Sequence, residues 1–191
     1  SHTHGKYIAM CEGDDFWIDK NKLQIQYDIM EKNSSYHLCF HKVRTISEKG
    51  EILKETFPPF DLQKGIICAK KFLELMCPVI KLKINSYFIR NKDYENYISD
   101  FSKIIQIYRE YGVGDIPLSL YFGQLNGICY INKIMSNYRV NSFGSWTSKK
   151  TKILPEIKIN NSILLIKAMD EFDKYTSYKY HPFCIKKIFF Y

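Results

Sequence analysis

Apolar residues occur in short blocks separated by polar and turn-forming residues, and several blocks predict strands. The first block, 6–11, is bounded by Gly5 and by an acidic cluster, so we expect a short buried strand that ends in carboxylates. The turn signal Ser-Glu-Lys-Gly at 47–50 separates two extended segments and predicts a hairpin. The predicted strands are 6–11, 36–46, 51–53, 86–90, 128–131 and 135–140.

Other blocks repeat apolar residues three or four positions apart, which is the spacing of a helix. In the first of them Leu23, Tyr27 and Met30 form the stripe, with Asp19 as the predicted N-cap and Asn33 as the end. Strands and helices alternate in mixed order, so the predicted class is α/β. The further predicted helices are 69–76, 97–111, a helix that Asp115 caps and that ends at Gly127, and 161–175.

A change in composition near residue 150 divides the chain into a domain at 1–150 and a C-terminal helical extension with a basic aromatic tail at 151–191. The tail interleaves lysines with aromatic residues, which suits an anionic membrane surface; a packed strand or helix explains it as well. No apolar run approaches the roughly 18 residues that a membrane-spanning helix needs.

The net charge of +8 suits a nucleic acid, an anionic membrane surface or a phosphorylated small molecule, and it does not choose among them. The lysines are scattered, and a chain rich in Lys, Ile, Tyr and Asn explains the charge without any partner. The six cysteines show no C-x-x-C spacing. We expect them to be reduced and buried, as in a cytosolic protein.

The stretch Glu12-Gly13-Asp14-Asp15 carries the most chemical information. Three carboxylates within four residues repel one another unless a cation lies among them. Mg²⁺ and Mn²⁺ prefer oxygen ligands, and Mg²⁺ is often held by one or two carboxylates plus substrate phosphates. The other interpretation is a helix start, where the helix dipole favours acidic residues.

The segment 5–17, followed by Lys22, Leu23 and Gln26, resembles the family 2 glycosyltransferases. In that family an apolar strand ends in a DxD-type acidic motif, and an aromatic residue and a helix follow. Three later segments, 114–118, 127–141 and 144–146, are similar to further elements of the family in the same order, so the likeness covers about residues 5 to 148.

This resemblance implies a GT-A fold, a Rossmann-like α/β domain for nucleotide sugars. It also implies that the chain corresponds to the C-terminal part of such a domain and lacks the N-terminal half. We therefore expect an exposed sheet edge and self-association. The chain departs from many relatives in one ligand, because Asn141 stands where they have His.

The resemblance implies a catalytic base and two sets of binding residues. The base is Asp115, for which a plain helix cap is the alternative. The metal ligands of Mn²⁺ or Mg²⁺ are Asp14, Asp15 and Asn141, and the donor-binding residues are Glu12, Gly13, Asp14, Trp17, Arg139 and Trp146.

Each aromatic or basic member of these sets has a second interpretation. Trp17 is equally suited to a packed core, Arg139 to a surface ion pair, and Trp146 to the surface of a polar loop. Which of the two aspartates binds the metal stays open.

The function that the resemblance implies is a metal-dependent, inverting transfer of a sugar from a nucleotide sugar, a UDP-sugar by preference. The acceptor would be a glycan or a lipid-linked hydroxyl in bacterial cell-surface polysaccharide synthesis, with the protein in the cytoplasm or at the inner face of the membrane. The alternative is a non-catalytic binding module or an inactive fragment. We expect no nucleic-acid partner, because no recognised motif is present and the acidic cluster repels phosphates.

Overall fold

The computed structural model describes residues 4–59, 65–76, 82–112, 114–140 and 155–188. Its strands are β1 (Tyr7–Ala9), β2 (Phe16–Trp17), β3 (Leu38–Ile46), β4 (Ile52–Phe57), β5 (Gly65–Ile67), β6 (Phe88–Arg90) and β7 (Ile128–Arg139). Its helices are α1 (Lys22–Lys32), α2 (Ala69–Leu75), α3 (Tyr94–Asp100), α4 (Ser102–Tyr111), α5 (Asp115–Asn126), α6 (Pro155–Tyr175) and α7 (His181–Ile188), with 3-10 turns at Ile84–Ser86 and Asn91–Asp93.

Two long parallel strands, β3 and β7, form the centre of a seven-stranded sheet. The outer edge of β3 pairs with β6 near its start and with β4 near its end. The outer edge of β7 pairs in the same way with β5 and then with β2, and β1 extends the sheet beyond β6. All these outer pairings are antiparallel, so the sheet is mixed and the predicted α/β class is confirmed.

The two faces of the sheet bury different clusters, because neighbouring residues of a strand point to opposite sides. Phe40 and Tyr130 face the larger core, which helices α2 to α7 cover. Cys39 and Cys129 face a smaller core, which α1 closes with Met30. The helices therefore form two layers around the central strand pair.

Helix α1 forms where the pattern predicts a helix, but it buries a different face. Lys22, Gln26 and Met30 are buried, whereas Leu23 and Tyr27 of the predicted stripe are 42% and 41% exposed. The helix also begins later than predicted, after Asn21. The predicted cap, Asp19, instead accepts a hydrogen bond from the Asn21 N–H at 2.8 Å.

Several other boundaries differ from the prediction, and β2 and β5 lie where no strand was predicted. The segment 97–111 is divided into α3 and α4 at Phe101, whose buried side chain packs against Tyr121 of α5 and Phe172 of α6. The strands predicted at 128–131 and 135–140 are one strand, β7, with an irregular register opposite Lys42. Helix α6 begins at Pro155 rather than at 161, and the tail contains helix α7.

Two further expectations from the composition, on membrane-spanning helices and on the cysteines, can be compared with the structure. In the described ranges, no helix combines the length and apolarity needed to span a bilayer. The five described cysteines form no disulfide, as expected; Cys39, Cys129 and Cys184 are buried, but Cys11 and Cys68 are exposed.

Candidate functional site

The acidic cluster lies in the loop between β1 and β2, and the end of β7 holds it in place. The Asp15 N–H donates to the Glu12 carbonyl at 3.1 Å, which closes a tight turn around Gly13 and Asp14. Asp15 Oδ1 accepts a hydrogen bond from the Arg139 backbone N–H at 2.9 Å. Asp15 is therefore buried against β7, while Glu12 and Asp14 are exposed.

The side chain of Arg139 secures the same loop. Its Nε donates to the Asp14 carbonyl at 3.1 Å, and its Nη1 donates to the carbonyls of Ser47 and Glu48 at 3.1 and 2.7 Å. The guanidinium thus joins the acidic loop to the β3–β4 turn. Its predicted contact with a diphosphate stays a prediction.

Asp115 reaches this loop from the other half of the chain. It is the first residue of α5, and Gly114 rather than Asp115 occupies the N-cap position. Its backbone carbonyl accepts a hydrogen bond from Ser119 Oγ at 2.9 Å, and Ser119 is in turn hydrogen-bonded to the buried Tyr87 hydroxyl. The position at a helix N-terminus favours an ionised carboxylate.

Glu12, Asp14, Asp15 and Asp115 form one group of carboxylates, which we call the carboxylate cluster. The charges of all four act on Tyr138, near the end of β7. Burial of the phenol, together with the negative charge of all four carboxylates, raises the pKa of Tyr138 to about 12. The fold therefore brings the predicted base close enough to the predicted metal ligands for their charges to act on the same side chain.

Mutual repulsion and burial both favour protonation within the cluster. Burial raises the pKa of Asp15 to about 7; the Arg139 N–H and Lys83 oppose this shift, and Asp14 and Glu12 add to it. The pKa of Glu12 is also raised, first by burial of the carboxyl and then by the charges of Asp115 and Asp14. Such perturbed pKa values are typical of functional sites.

Lys83 supplies a positive charge beside the cluster, and the sequence analysis missed it. Its ammonium lies 3.8 Å from the ring centroid of Tyr138 and 4.4 Å from that of Phe57, and its side chain is buried. A single lysine in a lysine-rich chain carries no signal in the sequence; only the fold brings it here.

Trp17 follows the acidic loop and supports it through contacts with Asn85 and Lys22, and it is not part of the buried core. Its Nε1 donates to the Asn85 carbonyl at 3.1 Å, and its ring is 36% exposed. The ammonium of Lys22 lies 4.3 Å from the ring centroid and donates to Gln26 Oε1 at 2.7 Å. Because Lys22 is almost fully buried, desolvation lowers its pKa to about 8.

The same brace continues into the 3-10 turn at Ile84–Ser86. Gln26 Nε2 donates to the Ser86 carbonyl at 2.8 Å, and Asn85 Nδ2 donates to the Asn137 carbonyl of β7 at 3.0 Å. These bonds explain why α1 buries a polar face: Lys22 and Gln26 are needed inside to support the loop. An apolar stripe alone cannot predict that choice.

The donor set fits a hard cation with phosphate co-ligands better than a metal held by protein alone. Within the described residues, no group of three or more His, Cys, Asp or Glu side chains is placed to hold a metal ion. Asp15 Oδ2, however, is buried without a hydrogen-bond partner, and Asp14 is exposed beside it. Two carboxylates of this kind suit Mg²⁺ or Mn²⁺ that also binds substrate phosphates.

Three predicted site residues remain to be placed. A Cβ built on Gly13 meets no atom within 4 Å, so there is open space beside this part of the loop. Asn141 and Trp146 lie outside the described residues.

Comparison with known proteins gives partial similarities. No protein-family model matches the chain. An uncharacterized protein of Mycobacterium tuberculosis and one of Mycobacterium bovis are each 38% identical over 78 residues, 39% of this chain and 22% of the relative. A protein of Methanocaldococcus jannaschii, named an uncharacterized glycosyltransferase, is 31% identical over 111 residues, 50% of this chain and 36% of the relative. The chain thus spans between 22% and 36% of the length of these relatives.

Proposed function

We propose that this chain carries the catalytic site of a metal-dependent, inverting glycosyltransferase that uses a nucleotide-sugar donor. One observation carries the proposal: residues 12–15 and Asp115 are about a hundred positions apart in the chain, but Asp115 acts electrostatically on Glu12, and the carboxylates of both segments act on Tyr138. The similarity to the M. jannaschii protein named a glycosyltransferase supports it.

Asp14 and Asp15 would hold Mn²⁺ or Mg²⁺, with Asn141 as a further oxygen ligand. When bound, such an ion supplies Lewis-acid stabilisation of the leaving nucleoside diphosphate. Asp14 offers an exposed carboxylate, and Asp15 offers the oxygen that β7 does not engage. Glu12 would assist through the ribose or through a metal-bound water.

Asp115 would be the general base that accepts the proton of the acceptor hydroxyl. Its position at the start of α5 favours the charged form that a base needs, and its backbone carbonyl accepts a hydrogen bond from Ser119. A base that activates an acceptor on the face opposite the leaving group produces inversion, as in glycoside hydrolysis.

The remaining predicted residues would bind the donor. Gly13 has open space for a ligand, and Trp17 presents an exposed ring edge beside the loop. Arg139 would act by its charge, because its hydrogen bonds hold the loop. Trp146 would close over the donor or stack on a sugar.

We propose a UDP-sugar as the donor and a glycan or lipid-linked hydroxyl as the acceptor, in cell-surface polysaccharide synthesis at the cytoplasmic face of the membrane. We also propose that the basic tail contacts the membrane surface and that copies of the chain associate with one another. The alternative is a non-catalytic binding module or an inactive fragment, and the experiments below distinguish it from an active enzyme.

Titration calorimetry of UDP in the presence of Mn²⁺ tests the metal site in the full-length protein. We expect measurable binding that Asp14→Asn and Asp15→Asn each abolish. Asp28→Asn, on the exposed side of α1, is the matched control for the loss of one charge. Unchanged affinity in both cluster variants would refute the metal site.

Release of UDP from a panel of UDP-sugars tests catalysis itself. A glycosyltransferase releases UDP with at least one sugar, and faster when an acceptor is present. Mn²⁺-dependent UDP binding without any release would favour the non-catalytic module.

A further inference from the structure

We propose that Lys83 is a resident cation of the carboxylate cluster, which disfavours the metal ion while the nucleotide is absent and favours the anionic diphosphate when it arrives. This inference rests on the proposed function, because it concerns the same site. It adds a residue and an order of events: the metal and the nucleotide bind together rather than one after the other.

The position of the Lys83 ammonium is fixed by two aromatic rings. Its Nζ lies 3.8 Å from the Tyr138 centroid and 4.4 Å from the Phe57 centroid. The two rings meet edge to face, with centroids 6.2 Å apart and an interplanar angle of 87°. Ring faces attract a cation and partly offset its loss of hydration. The charge of a lysine held in this way therefore stays at a fixed position, unlike that of a mobile surface lysine.

The same strand that carries Tyr138 also holds the acidic loop. Tyr138 precedes Arg139, whose backbone N–H binds Asp15 Oδ1. On the other side, Lys83 leads into the turn at Ile84–Ser86, which Asn85 fastens to the Asn137 carbonyl. The ammonium and the carboxylates are therefore fixed on one frame, and the charge of Lys83 acts on both Glu12 and Asp15.

The balance of charge sets the direction of the effect. Four carboxylates face the positive charges of Lys83 and Arg139, so the ionised cluster is negative and attracts a divalent cation. Lys83 repels that cation over a short distance in a partly buried setting, where Coulomb interactions are stronger than in water. For a diphosphate the sign of the interaction with Lys83 is reversed, because Lys83 attracts the anion that the carboxylates repel.

The two ligands therefore respond to Lys83 in opposite directions, and this opposition is the test. Lys83→Met keeps an unbranched side chain between the rings and removes the charge. Lys83→Gln also removes the charge but keeps a polar end, and Lys83→Arg keeps the charge. Mn²⁺ affinity without nucleotide is measured by electron paramagnetic resonance, and UDP affinity at saturating Mn²⁺ by calorimetry, both in the full-length protein.

In Lys83→Met and Lys83→Gln we expect Mn²⁺ to bind about three- to tenfold more tightly and UDP about three- to tenfold more weakly. Lys83→Arg keeps values near those of the wild type. Lys103→Met removes a charge from an exposed lysine on α4, away from the cluster, and is the matched control with no change in either affinity.

Weaker binding of both ligands, or no change in either, would overturn the inference, because a merely structural lysine gives those results. A wild-type protein that binds no Mn²⁺ even when UDP is present overturns it as well. Failure of the proposed function looks different: Mn²⁺ binds and responds to Lys83→Met, but no UDP is released from any UDP-sugar.

Discussion

Arg90 and Asp15 are both charged side chains buried to a similar degree, 6% and 8% exposed, but their surroundings differ. The Arg90 guanidinium donates to the Tyr36 carbonyl at 2.9 Å, to the Tyr7 hydroxyl at 2.8 Å and to the Met30 carbonyl. Asp15 has one oxygen on the Arg139 N–H, and its other oxygen has no hydrogen-bond partner among the described residues.

The difference separates a network of paired polar groups from a proposed functional site within one sheet. Around Arg90, buried donors and acceptors are paired, and the pairing joins α1, β1 and β6 at one end. At the other end, carboxylates are gathered against their own repulsion, and a buried oxygen is left unpaired. Folded proteins tolerate such unpaired polar atoms mainly where a ligand or a reaction requires them.

Removing the guanidinium is the strongest way to break the supporting end. Arg90→Met removes the hydrogen bonds from the guanidinium to the carbonyls of Met30 and Tyr36 and to the Tyr7 hydroxyl, and we expect a loss of about 3 kcal/mol in the free energy of unfolding. Urea unfolding measures it, with Arg109→Met on the exposed side of α4 as the control. A loss as small as that of the control would contradict the assigned role.

Removing one charge at the functional end is expected to change catalysis instead of stability. Asp115→Asn keeps the size of the side chain but cannot accept the proton, so we expect turnover to fall by at least about a hundredfold. Affinity for Mn²⁺ and UDP stays near that of the wild type, because other residues hold them. Near-normal turnover would leave Asp115 as a residue of the helix start only.

The pH dependence of stability also distinguishes the carboxylate cluster from the network around Arg90. The pKa of Asp15 is raised to about 7, so between its ordinary pKa near 4 and pH 7 the folded state binds more protons than the unfolded state. Stability therefore falls as pH rises through this window, by on the order of 4 kcal/mol.

Urea unfolding at a series of pH values, with chelator present, checks this expectation. We expect Asp15→Asn to remove most of the fall, while Asp28→Asn leaves it in place. If stability varied with pH in the same way in the wild type and in Asp15→Asn, the Asp15 carboxyl would have the same pKa in the folded and unfolded protein, contrary to this expectation.

The smallest expected effect concerns the brace between the two ends. Trp17→Phe keeps a ring over the Lys22 ammonium but removes the hydrogen bond from Nε1 to the Asn85 carbonyl. We expect a loss of about 1 kcal/mol in the free energy of unfolding. Tyr27→Phe, on the exposed side of α1, is the control, and equal stability of the two variants would contradict the brace.

The sequence located the members of the carboxylate cluster better than the buried hydrogen-bond network around Arg90, and the role of the cluster stays a proposal. The carboxylates at 12–15 and Asp115 were identified because acidic residues at the end of a strand and the start of a helix are visible locally. Lys83 was missed, since its importance arises only when the turn at Ile84–Ser86 meets β7. The buried face of α1 was predicted wrongly for a related reason: its polar partners lie in distant segments.

The central pairing of β3 with β7 has a consequence for folding kinetics. Cys39 lies opposite Cys129, so the pairing closes a loop of about ninety residues before it gains its contacts. Contacts so distant along the chain form slowly. Because the backbone N–H of Arg139, at the end of β7, binds Asp15, the Asp15 carboxylate is buried against β7 only once this slow closure is complete.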